Sequence, residues 1–589
     1  GSYLMARLNH PVIGEVAIQR AGVVRSRQLN GMLAQHLRKQ MQAGERQSRL
    51  PDVRTRIQLA QFMIRSDLTP DLDVIIDAAA SAVAMSNVVL GEELARFAFD
   101  HGAGVAAAIL LSKALSWQGR GDEAEAVLAN VDLDGADEWL TVQWGCLRAA
   151  NLFFDCGQVE QARLLLAKIR NRVDSEETAG LVTAIEVVFA FFSGDVLTAI
   201  ESGLALCERD VPPVATAWAA AATCWALALT GRYGDVHQLA DTGLRAAALG
   251  RSGPLRLVIG WAEVMALTAV GDYSAAEQVW ERYATMPAGA LGLDAVVKAM
   301  LGLVNLARGA LPSACAAFQN SLSAMSHGAP FSWLMLVAAW SAQAEGGRGN
   351  NEAAAAALRS SEEAYGPQTA VFLPELELAR AWERASAGQT TAAQMHSMRA
   401  AQIARRSGMW DVELRALHTA VRFGDPSGAA RLEALATTLN TALAAAIATH
   451  ARGLANHDGD LLNAAAGRFA DIGAVALAAD ATAQAAREHA RKAHRGKEIE
   501  SSTRAYGLAS QYALRTPAVE AAARPLPISD REREIAKLVA AGLSNRQIAD
   551  RLFVSVRTTE GHLYRIFAKL GITTRDQLIH LLSLDSPGA

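Results

Sequence analysis

Cysteine and aromatic residues are scarce in this chain of 589 residues, and neither sign of charge dominates. The five cysteines form no Cys-x-x-Cys pair, so we expect reduced thiols and neither a disulfide framework nor a metal site. Aromatic residues make up 6% of the chain, hydrophobic residues 51%, and the formal net charge is -4. This balance excludes a disordered chain, because so much apolar surface has to be buried.

Long hydrophobic runs are also rare. The one uncharged stretch of membrane length, Val211 to Gly231, contains Pro212 and Pro213 and consists largely of alanine. A membrane span needs about 20 strongly apolar residues, so we expect a buried helix here and no membrane partner. No signal peptide is visible, and we predict a cytoplasmic protein.

A repeat with a period of 35 to 40 residues runs through the middle of the chain. A glycine followed five positions later by a small residue recurs at Gly121, Gly157, Gly194, Gly231, Gly271, Gly309, Gly349, Gly388, Gly424 and Gly459. Glycine favours the end of a helix, and the small residue lets the next helix approach closely. The copy at Gly271–Ala276 resembles the turn of a tetratricopeptide repeat (TPR). The pattern predicts an all-α, TPR-like solenoid over residues 81–490.

Tryptophan is concentrated in this array, since all eleven tryptophans lie between Trp117 and Trp410. Two pairs are spaced seven residues apart, which places each pair on one helix face. Together with nearby methionine they are candidates for an apolar ligand pocket that binds a small-molecule effector. The candidate residues are Trp218, Trp225, Trp261, Met265, Trp333 and Trp340. The alternative is that these side chains only fill gaps between helices.

Four short helices are predicted after residue 528. Ser529 with Glu532, and Ser544 with Gln547, have the spacing of capping boxes that open the first two helices. Ser555 opens the third helix, which runs to Leu570, and a threonine caps the fourth. A short helix, a tight turn and a longer helix make a helix-turn-helix, whose second helix enters the major groove of DNA.

The third helix has two distinct faces. One face is predicted to pack inward and carries Val556, Thr559, Leu563, Ile566 and Leu570. The opposite face carries Arg557, Glu560, Gly561, Tyr564, Arg565 and Ala568. Arginine there can reach phosphates or guanine, glutamate can accept a hydrogen bond from cytosine, and glycine permits a close approach of the backbone.

Residues 528–578 resemble the DNA-binding domain of LuxR-type regulators. The shared elements are Ser-x-Arg-Glu, Gly-Leu-Ser-Asn, Ile-Ala-x-x-Leu, Ser-x-x-Thr, His-Leu and Lys-Leu-Gly, in that order. The resemblance implies DNA contacts at Thr558, Glu560, Gly561, Tyr564 and Lys569. Glu560 and Tyr564 stand where family members often carry lysine or arginine, so the base preference should differ. Thr559 replaces the usual valine of the inner face.

The order of array and C-terminal module is similar to that of the large, MalT-like regulators of the LuxR family. In those proteins an ATP-binding STAND domain precedes the TPR-containing part. This sequence has no Gly-x-x-x-x-Gly-Lys-[Ser/Thr] phosphate loop, and Gly496-Lys497 lacks the upstream glycine. The resemblance therefore implies a regulator without its ATPase domain, and we predict no cofactor.

Charge follows the same division of the chain. Residues 1–50 and 487–589 each carry a net charge of +6, whereas residues 51–486 carry -16. A basic tail attracts double-stranded DNA, and an acidic body does not. We predict a helical remnant at 1–80, the sensor array at 81–490, a linker at 491–527 and the DNA-binding domain at 528–589.

These features predict a DNA-binding transcription regulator whose array senses a small molecule or a protein partner. We predict that two copies pair on adjacent half-sites as a homodimer. The alternative function is a protein-interaction scaffold in which DNA binding only localises the array. No catalytic motif is present, so we do not expect an enzyme.

Overall fold

The computed structural model of the protein describes residues 11–45, 53–285, 291–326 and 331–585. Over these ranges the chain forms thirty-one α-helices, one 3-10 helix and no strand, which confirms the predicted all-α class. All five cysteines are free thiols, as expected. Residues 1–10, 46–52 and 586–589, which belong to the predicted N-terminal and C-terminal segments, lie outside the described residues.

Helices α1 to α14 form the first part of the array. Their bounds are α1 (Pro11–Glu45), α2 (Val53–Ile64), α3 (Leu72–Ala84), α4 (Val88–Asp100), α5 (Gly104–Ser116), α6 (Gly121–Ala129), α7 (Glu138–Phe154), α8 (Val159–Arg170), α9 (Glu176–Phe192), α10 (Val196–Cys207), α11 (Pro213–Thr230), α12 (Tyr233–Leu249), α13 (Leu255–Val270) and α14 (Tyr273–Ala284).

Helices α15 to α27 continue the array, and the four helices α28 to α31 follow. Their bounds are α15 (Leu291–Arg308), α16 (Leu311–Met325), α17 (Phe331–Gly347), α18 (Asn351–Glu363), the 3-10 helix Pro367–Phe372, α19 (Leu373–Ser386), α20 (Thr390–Arg406), α21 (Trp410–Arg422), α22 (Ala429–Leu439), α23 (Ala442–Ala455), α24 (Gly459–Ile472), α25 (Val475–Arg491), α26 (Arg495–Tyr512), α27 (Pro517–Ala522), α28 (Asp530–Ala540), α29 (Asn545–Leu552), α30 (Val556–Leu570) and α31 (Arg575–Asp585).

The helices stack as a solenoid with two layers. A helix typically packs against the next helix and against the next but one, as α9 does against α10 and α11. The odd-numbered helices from α5 to α25 form the inner layer, and α9, α11 and α13 among them are apolar on most faces, because both their neighbours and the interior cover them. The even-numbered helices are amphipathic and form the outer layer.

Eight of the ten repeat glycines adopt the left-handed conformation predicted for a helix end. Gly121 and Gly459 do not, and this part of the prediction is wrong. The left-handed residues there are Gly119 and His457, two positions earlier. Glycine is needed for another reason, since a Cβ on Gly121 would lie 2.2 Å from Cβ of Asp155, and one on Gly459 would collide with a histidine ring.

The solenoid closes on itself after about five repeats. Helix α11 contacts α21, and α13 contacts α23. The Tyr233 hydroxyl donates a hydrogen bond of 2.8 Å to Oδ1 of Asp411, across 178 residues of sequence. A Cβ on Gly309 would lie only 2.5 Å from the backbone nitrogen of Ala476. Turns of the solenoid that are five repeats apart are therefore in direct contact with each other.

Two predicted boundaries differ from the structure. The predicted start of the array at residue 81 falls inside α3, which already packs against α2 and α4. The predicted linker at 491–527 contains helices α26 and α27, which pack against α25. Ser501, Thr503 and Gly507 are buried small residues of α26, which packs closely against α25.

Helix α11 is long and apolar enough to cross a membrane by length and composition, with a mean hydropathy of 1.3. In the structure 78% of this helix is buried. It packs against α9, α10, α12 and α13 of the array. This agrees with the buried helix predicted for Val211 to Gly231.

Two buried histidines connect the inner helices α21, α23 and α25. His418 Nε2 lies 2.9 Å from His450 Nδ1, and His450 Nε2 lies 2.8 Å from Oε1 of Gln484. Gln484 Nε2 donates to the carbonyl of Val421 at 2.9 Å. Burial lowers the pKa of His450 to about 4, and it lowers the pKa of His418 well below its ordinary value. Both rings are therefore neutral at pH 7.

This histidine pair should make the array less stable in mild acid. The unfolded chain binds protons near pH 6.5, whereas His450 in the folded chain binds one only near pH 4, so stability falls as the pH falls through this window. We expect a loss of about 2 kcal/mol by pH 5 from His450 alone. Urea unfolding at each pH, followed by tryptophan fluorescence, measures this loss of stability. His450→Gln should reduce the pH dependence, and His36→Gln, at an exposed histidine of α1, should not; equal slopes in both variants would contradict this origin.

Candidate DNA-binding site and inner cavity

The C-terminal helices begin and end where the sequence predicted. Ser529 and Glu532 form a reciprocal capping box at the start of α28, and Ser544 and Gln547 form one at the start of α29. Ser555 caps α30 through the amide of Thr558, and Gly571 ends it in the left-handed conformation. Helices α29 and α30 with the turn between them form the predicted helix-turn-helix.

The inner face of α30 packs into a small apolar core. Thr559, Leu563, Ile566 and Leu570 are buried as predicted. Val556 was also predicted to pack inward, but it is 39% exposed. It is the first residue of α30, in the turn of the helix that projects beyond the core.

The seven predicted DNA-contacting residues all lie on the exposed side of α30. They are Arg557, Thr558, Glu560, Gly561, Tyr564, Arg565 and Lys569. Arg557 forms no ion pair with any described residue, and Tyr564 is 77% exposed. Arg565 donates to the carbonyl of Gly561 at 3.2 Å, which aligns its guanidinium along the helix. This face is thus free to enter a groove.

Lys569 differs from the other members of this set because it is already paired. Its Nζ lies 2.7 Å from Oε2 of Glu532 on α28. The hydrogen bond from Lys569 and the backbone amide of Ser529 lower the pKa of Glu532 to about 2. The pair therefore ties the end of α30 to the start of α28, in addition to any contact of Lys569 with phosphate.

Sequence reasoning missed three further residues near this face. Arg546 and Arg551 on α29 are exposed and form no ion pair among the described residues. Arg575 donates to the carbonyl of Leu543 at 2.9 Å and to Oδ1 of Asn545 at 2.6 Å, so it positions the start of α29. The spacing of Asn545 and Arg575 in sequence gives no signal of this contact.

The DNA-binding domain rests on the last long helix of the array. Helix α31 packs against α26, and Ile499 of α26 contacts the core of the domain. His580 Nε2 lies 3.5 Å from Oε1 of Glu500, and Arg495 donates to the carbonyl of Lys569 at 3.5 Å. These contacts leave the outer face of α30 uncovered.

The inner layer of the array lines a partly open cavity of about 340 Å³, hereafter the inner cavity. Residues of the odd-numbered helices from α3 to α13, of α17 and of the 3-10 helix (Phe372) line it. Aromatic rings form much of its wall and contact one another in sequence. Trp225 and Trp261 lie edge to face with ring centroids 5.4 Å apart, and Trp261 lies 4.7 Å from Trp333.

The six predicted ligand-binding residues divide between two cavities. Trp218, Trp225, Trp261 and Trp333 line the inner cavity. Met265 and Trp340 line a second, smaller cavity of about 170 Å³. The two are adjacent, since the rings of Trp261 and Trp340 have centroids 5.7 Å apart. Trp225, Trp261 and Trp340 are nearly fully buried and also serve as core residues.

Polar residues that the sequence did not single out also line the inner cavity. Lys113 on α5 lines it and forms no hydrogen bond or ion pair with any described residue. Burial lowers the pKa of this lysine to about 8. Asp155 at the end of α7 also lines the cavity, and burial raises its pKa to about 7. Asp155 Oδ1 has no hydrogen-bond partner among the described residues.

The C-terminal domain matches a known protein family. Residues 526–582 match the family described as "Bacterial regulatory proteins, luxR family". Together with the capping boxes and the exposed face of α30, this match shows that the chain carries a LuxR-type helix-turn-helix DNA-binding domain.

The similar curated proteins include bacterial regulators that match over this domain. A protein of Mycobacterium bovis named as an HTH-type transcriptional regulator is 54% identical over 48 residues, which are 8% of this chain and 5% of that protein. Oxygen regulatory protein NreC of Staphylococcus aureus is 46% identical over 52 residues, 9% of this chain and 24% of NreC. The chain thus spans a small part of these relatives.

Among solved structures, a chain in the "Crystal structure of APC/C hetero-tetramer Cut9-Hcn1" is similar to this one. The similarity covers 86% of this chain and 96% of that chain, with a TM-score of 0.34 and 11% sequence identity.

Proposed function

We propose that this protein is a cytoplasmic, non-enzymatic transcription regulator of the large, MalT-like type. In this proposal the repeat array senses an effector and controls the LuxR-type domain. One observation carries it: the array that lines the inner cavity also holds the DNA-binding domain on α26, with the outer face of α30 exposed. An effector that favours one packing of the array would change how α30 is presented.

The closure of the solenoid favours a small molecule over an extended peptide as the effector. Contacts between α11 and α21, and the hydrogen bond from Tyr233 to Asp411, join turns of the solenoid that are five repeats apart. An extended peptide needs a continuous open groove, whereas a small ligand is bound in an enclosed apolar cavity with a few polar groups.

A chain of buried polar contacts connects the second cavity to the DNA-binding side. Arg422, which lines that cavity, pairs with Asp480 of α25 at 2.6 Å. The Thr516 hydroxyl donates to the same carboxylate, and Thr516 caps α27. The backbone amide of Arg515 donates to the carbonyl of Gly347 on α17 at 2.9 Å. These contacts support coupling between the interior of the array and the segment that leads to α28.

Selection of genomic DNA by the purified chain tests both parts of this proposal. We expect specific fragments to be enriched, and their enrichment to change when a small-molecule extract of bacterial cells is added. Ala222→Phe, which places a ring in the inner cavity, should remove the response to the extract and leave the enrichment. Failure to enrich any fragment would overturn DNA binding. An enrichment that the extract does not change would overturn sensing.

Two substitutions on α30 should affect DNA binding in different ways. Arg565→Ala should weaken binding to all sequences by about 1 to 3 kcal/mol, because a cation near phosphate is lost. The slope of the logarithm of the affinity against the logarithm of the salt concentration should become smaller by about one. Glu560→Ala should change the preferred base with little loss of affinity. Titration of selected and scrambled duplexes at several salt concentrations separates the two effects. Arg359→Ala, an exposed arginine on α18, is the control; wild-type affinity and salt dependence in Arg565→Ala would exclude this face.

A further inference from the structure

The inner cavity has a mostly apolar wall that includes several tryptophans and a few polar side chains. Its polar residues, among them Lys113, Gln143 and Asp155, come from α5 and α7 and from the end of α7. Its tryptophans come from α11, α13 and α17, and Trp117 follows α5 directly. Helix α5 thus brings both Lys113 and, at its end, Trp117 to the same cavity. A ligand that fills the cavity therefore needs a polar head and an apolar body.

Lys113 contributes an ammonium group to the wall of the inner cavity. Its ammonium has no carboxylate partner among the described residues, and no nearby charge contributes to its lowered pKa. A buried cation without a partner is costly, and an anion supplied by a ligand would remove that cost. Arg251, the other cation that lines the cavity, is already paired with Asp77 at 2.6 Å.

The charge balance favours a monoanion. One unpaired ammonium matches one carboxylate, whereas a phosphate dianion would leave a negative charge unpaired inside an apolar wall. The aromatic part of the wall suits a flat ring system or a short apolar chain. It includes Phe192, Trp218, Trp225, Trp261 and Trp333.

We propose that the inner cavity binds a small amphipathic carboxylic acid, with its carboxylate on the ammonium of Lys113 and its apolar body between the tryptophans. This inference rests on the proposed sensing function, because it treats the cavity as the effector site. It adds the chemical class of the effector and the residue that recognises its charge.

Isothermal titration of the full chain with 2-naphthoate and 2-naphthamide at pH 6.5 tests the proposal. The two probes share size and shape and differ in charge. We expect wild type to bind the acid at least tenfold more tightly than the amide, because only the acid pairs with Lys113. Lys113→Met should lose this preference and keep its affinity for the amide. Lys168→Met, which removes an exposed lysine on α8, should retain the preference.

The outcomes separate the ligand class from the sensing function. Equal affinity of wild type for acid and amide, no binding of either, or a preference that persists in Lys113→Met would overturn the proposed ligand class. Lys113→Gln provides a second neutral variant, and the thermal midpoint of each variant shows that it is folded. If 2-naphthoate binds through Lys113 but saturation leaves DNA affinity unchanged, the ligand class stands and the sensing function fails. If neither probe binds but the cell extract changes DNA enrichment, sensing stands and the ligand class fails.

Discussion

Replacing Gly309 by alanine is expected to lower the free energy of unfolding of the array by about 3 kcal/mol or more. Gly309 has φ +87°, a conformation that costs an L residue about 1 to 2 kcal/mol. The new Cβ would also lie 2.5 Å from the backbone nitrogen of Ala476 and 2.6 Å from its Cβ. Relieving such a contact costs about 1 to 3 kcal/mol more, because neither atom belongs to a flexible side chain.

Gly194→Ala is the matched control for this prediction. Gly194 has φ +92° and ends the same kind of helix, but a Cβ there would meet no atom within 4 Å. We expect the free energy of unfolding of this variant to fall only by the conformational cost of about 1 to 2 kcal/mol. Urea unfolding followed by tryptophan fluorescence reports on the array, where all the tryptophans lie. Equal destabilisation by the two substitutions would show that the contact of Gly309 with α25 does not contribute to stability.

Replacing Glu375 by leucine should lower the free energy of unfolding by about 3 to 5 kcal/mol, because the carboxylate is buried and both its oxygens accept hydrogen bonds. Its Oε1 accepts from Arg415 at 2.6 Å, and its Oε2 accepts from Trp340 Nε1 and Gln343 Nε2, each at 3.0 Å. Burial opposes the negative charge, but Arg415 and these donors outweigh it and hold the pKa below its ordinary value. Leucine would leave two buried N–H donors without an acceptor and leave Arg415 with Asp411 alone.

The control for Glu375 is a carboxylate in an exposed ion pair. Glu277 lies 3.0 Å from Arg308, and its side chain is 40% exposed. Such pairs contribute between zero and about 1 kcal/mol, so Glu277→Leu should be nearly neutral. Because Glu375 holds the indole of Trp340, Glu375→Leu should also change the tryptophan emission of the folded state. A loss below 1 kcal/mol with unchanged emission would contradict the role of Glu375.

The DNA-binding domain could be predicted from sequence almost residue by residue. Its helix starts are determined by local side-chain caps, such as Ser529 with Glu532, and local rules are readable from sequence. The exposed face of α30 follows from helical periodicity in the same way. Val556 was misplaced because periodicity assigns a direction to each residue but does not show where the core ends.

The array was predictable in its period but not in its closure. Glycines such as Gly271 mark helix ends, and a recurring glycine reports contacts between neighbouring helices. The contacts of Tyr233 with Asp411 and of Gly309 with Ala476 join residues far apart in sequence, and a single sequence carries no pattern for them. Gly121 and Gly459 show that one residue type can recur at one position for two physical reasons.

The inner cavity was predicted only on its aromatic side. The spacing of Trp218 and Trp225 placed both on one helix face, and the structure places both at the cavity. Lys113 had no such signal, because a lysine in the last turn of a helix is ordinary there. Its lack of a partner depends on which side chains α7 and its neighbours bring near it, and this is set only by packing.

Closure of the solenoid also changes how the array should fold and unfold. In an open repeat protein each repeat touches only its neighbours, so segments can melt one at a time and shortened versions remain folded. Here Tyr233 and Asp411 are in contact across 178 residues, so the two halves of the array stabilise each other. The array should therefore unfold in one cooperative step and fold slowly for a helical protein. Its interior should remain intact until the whole array opens.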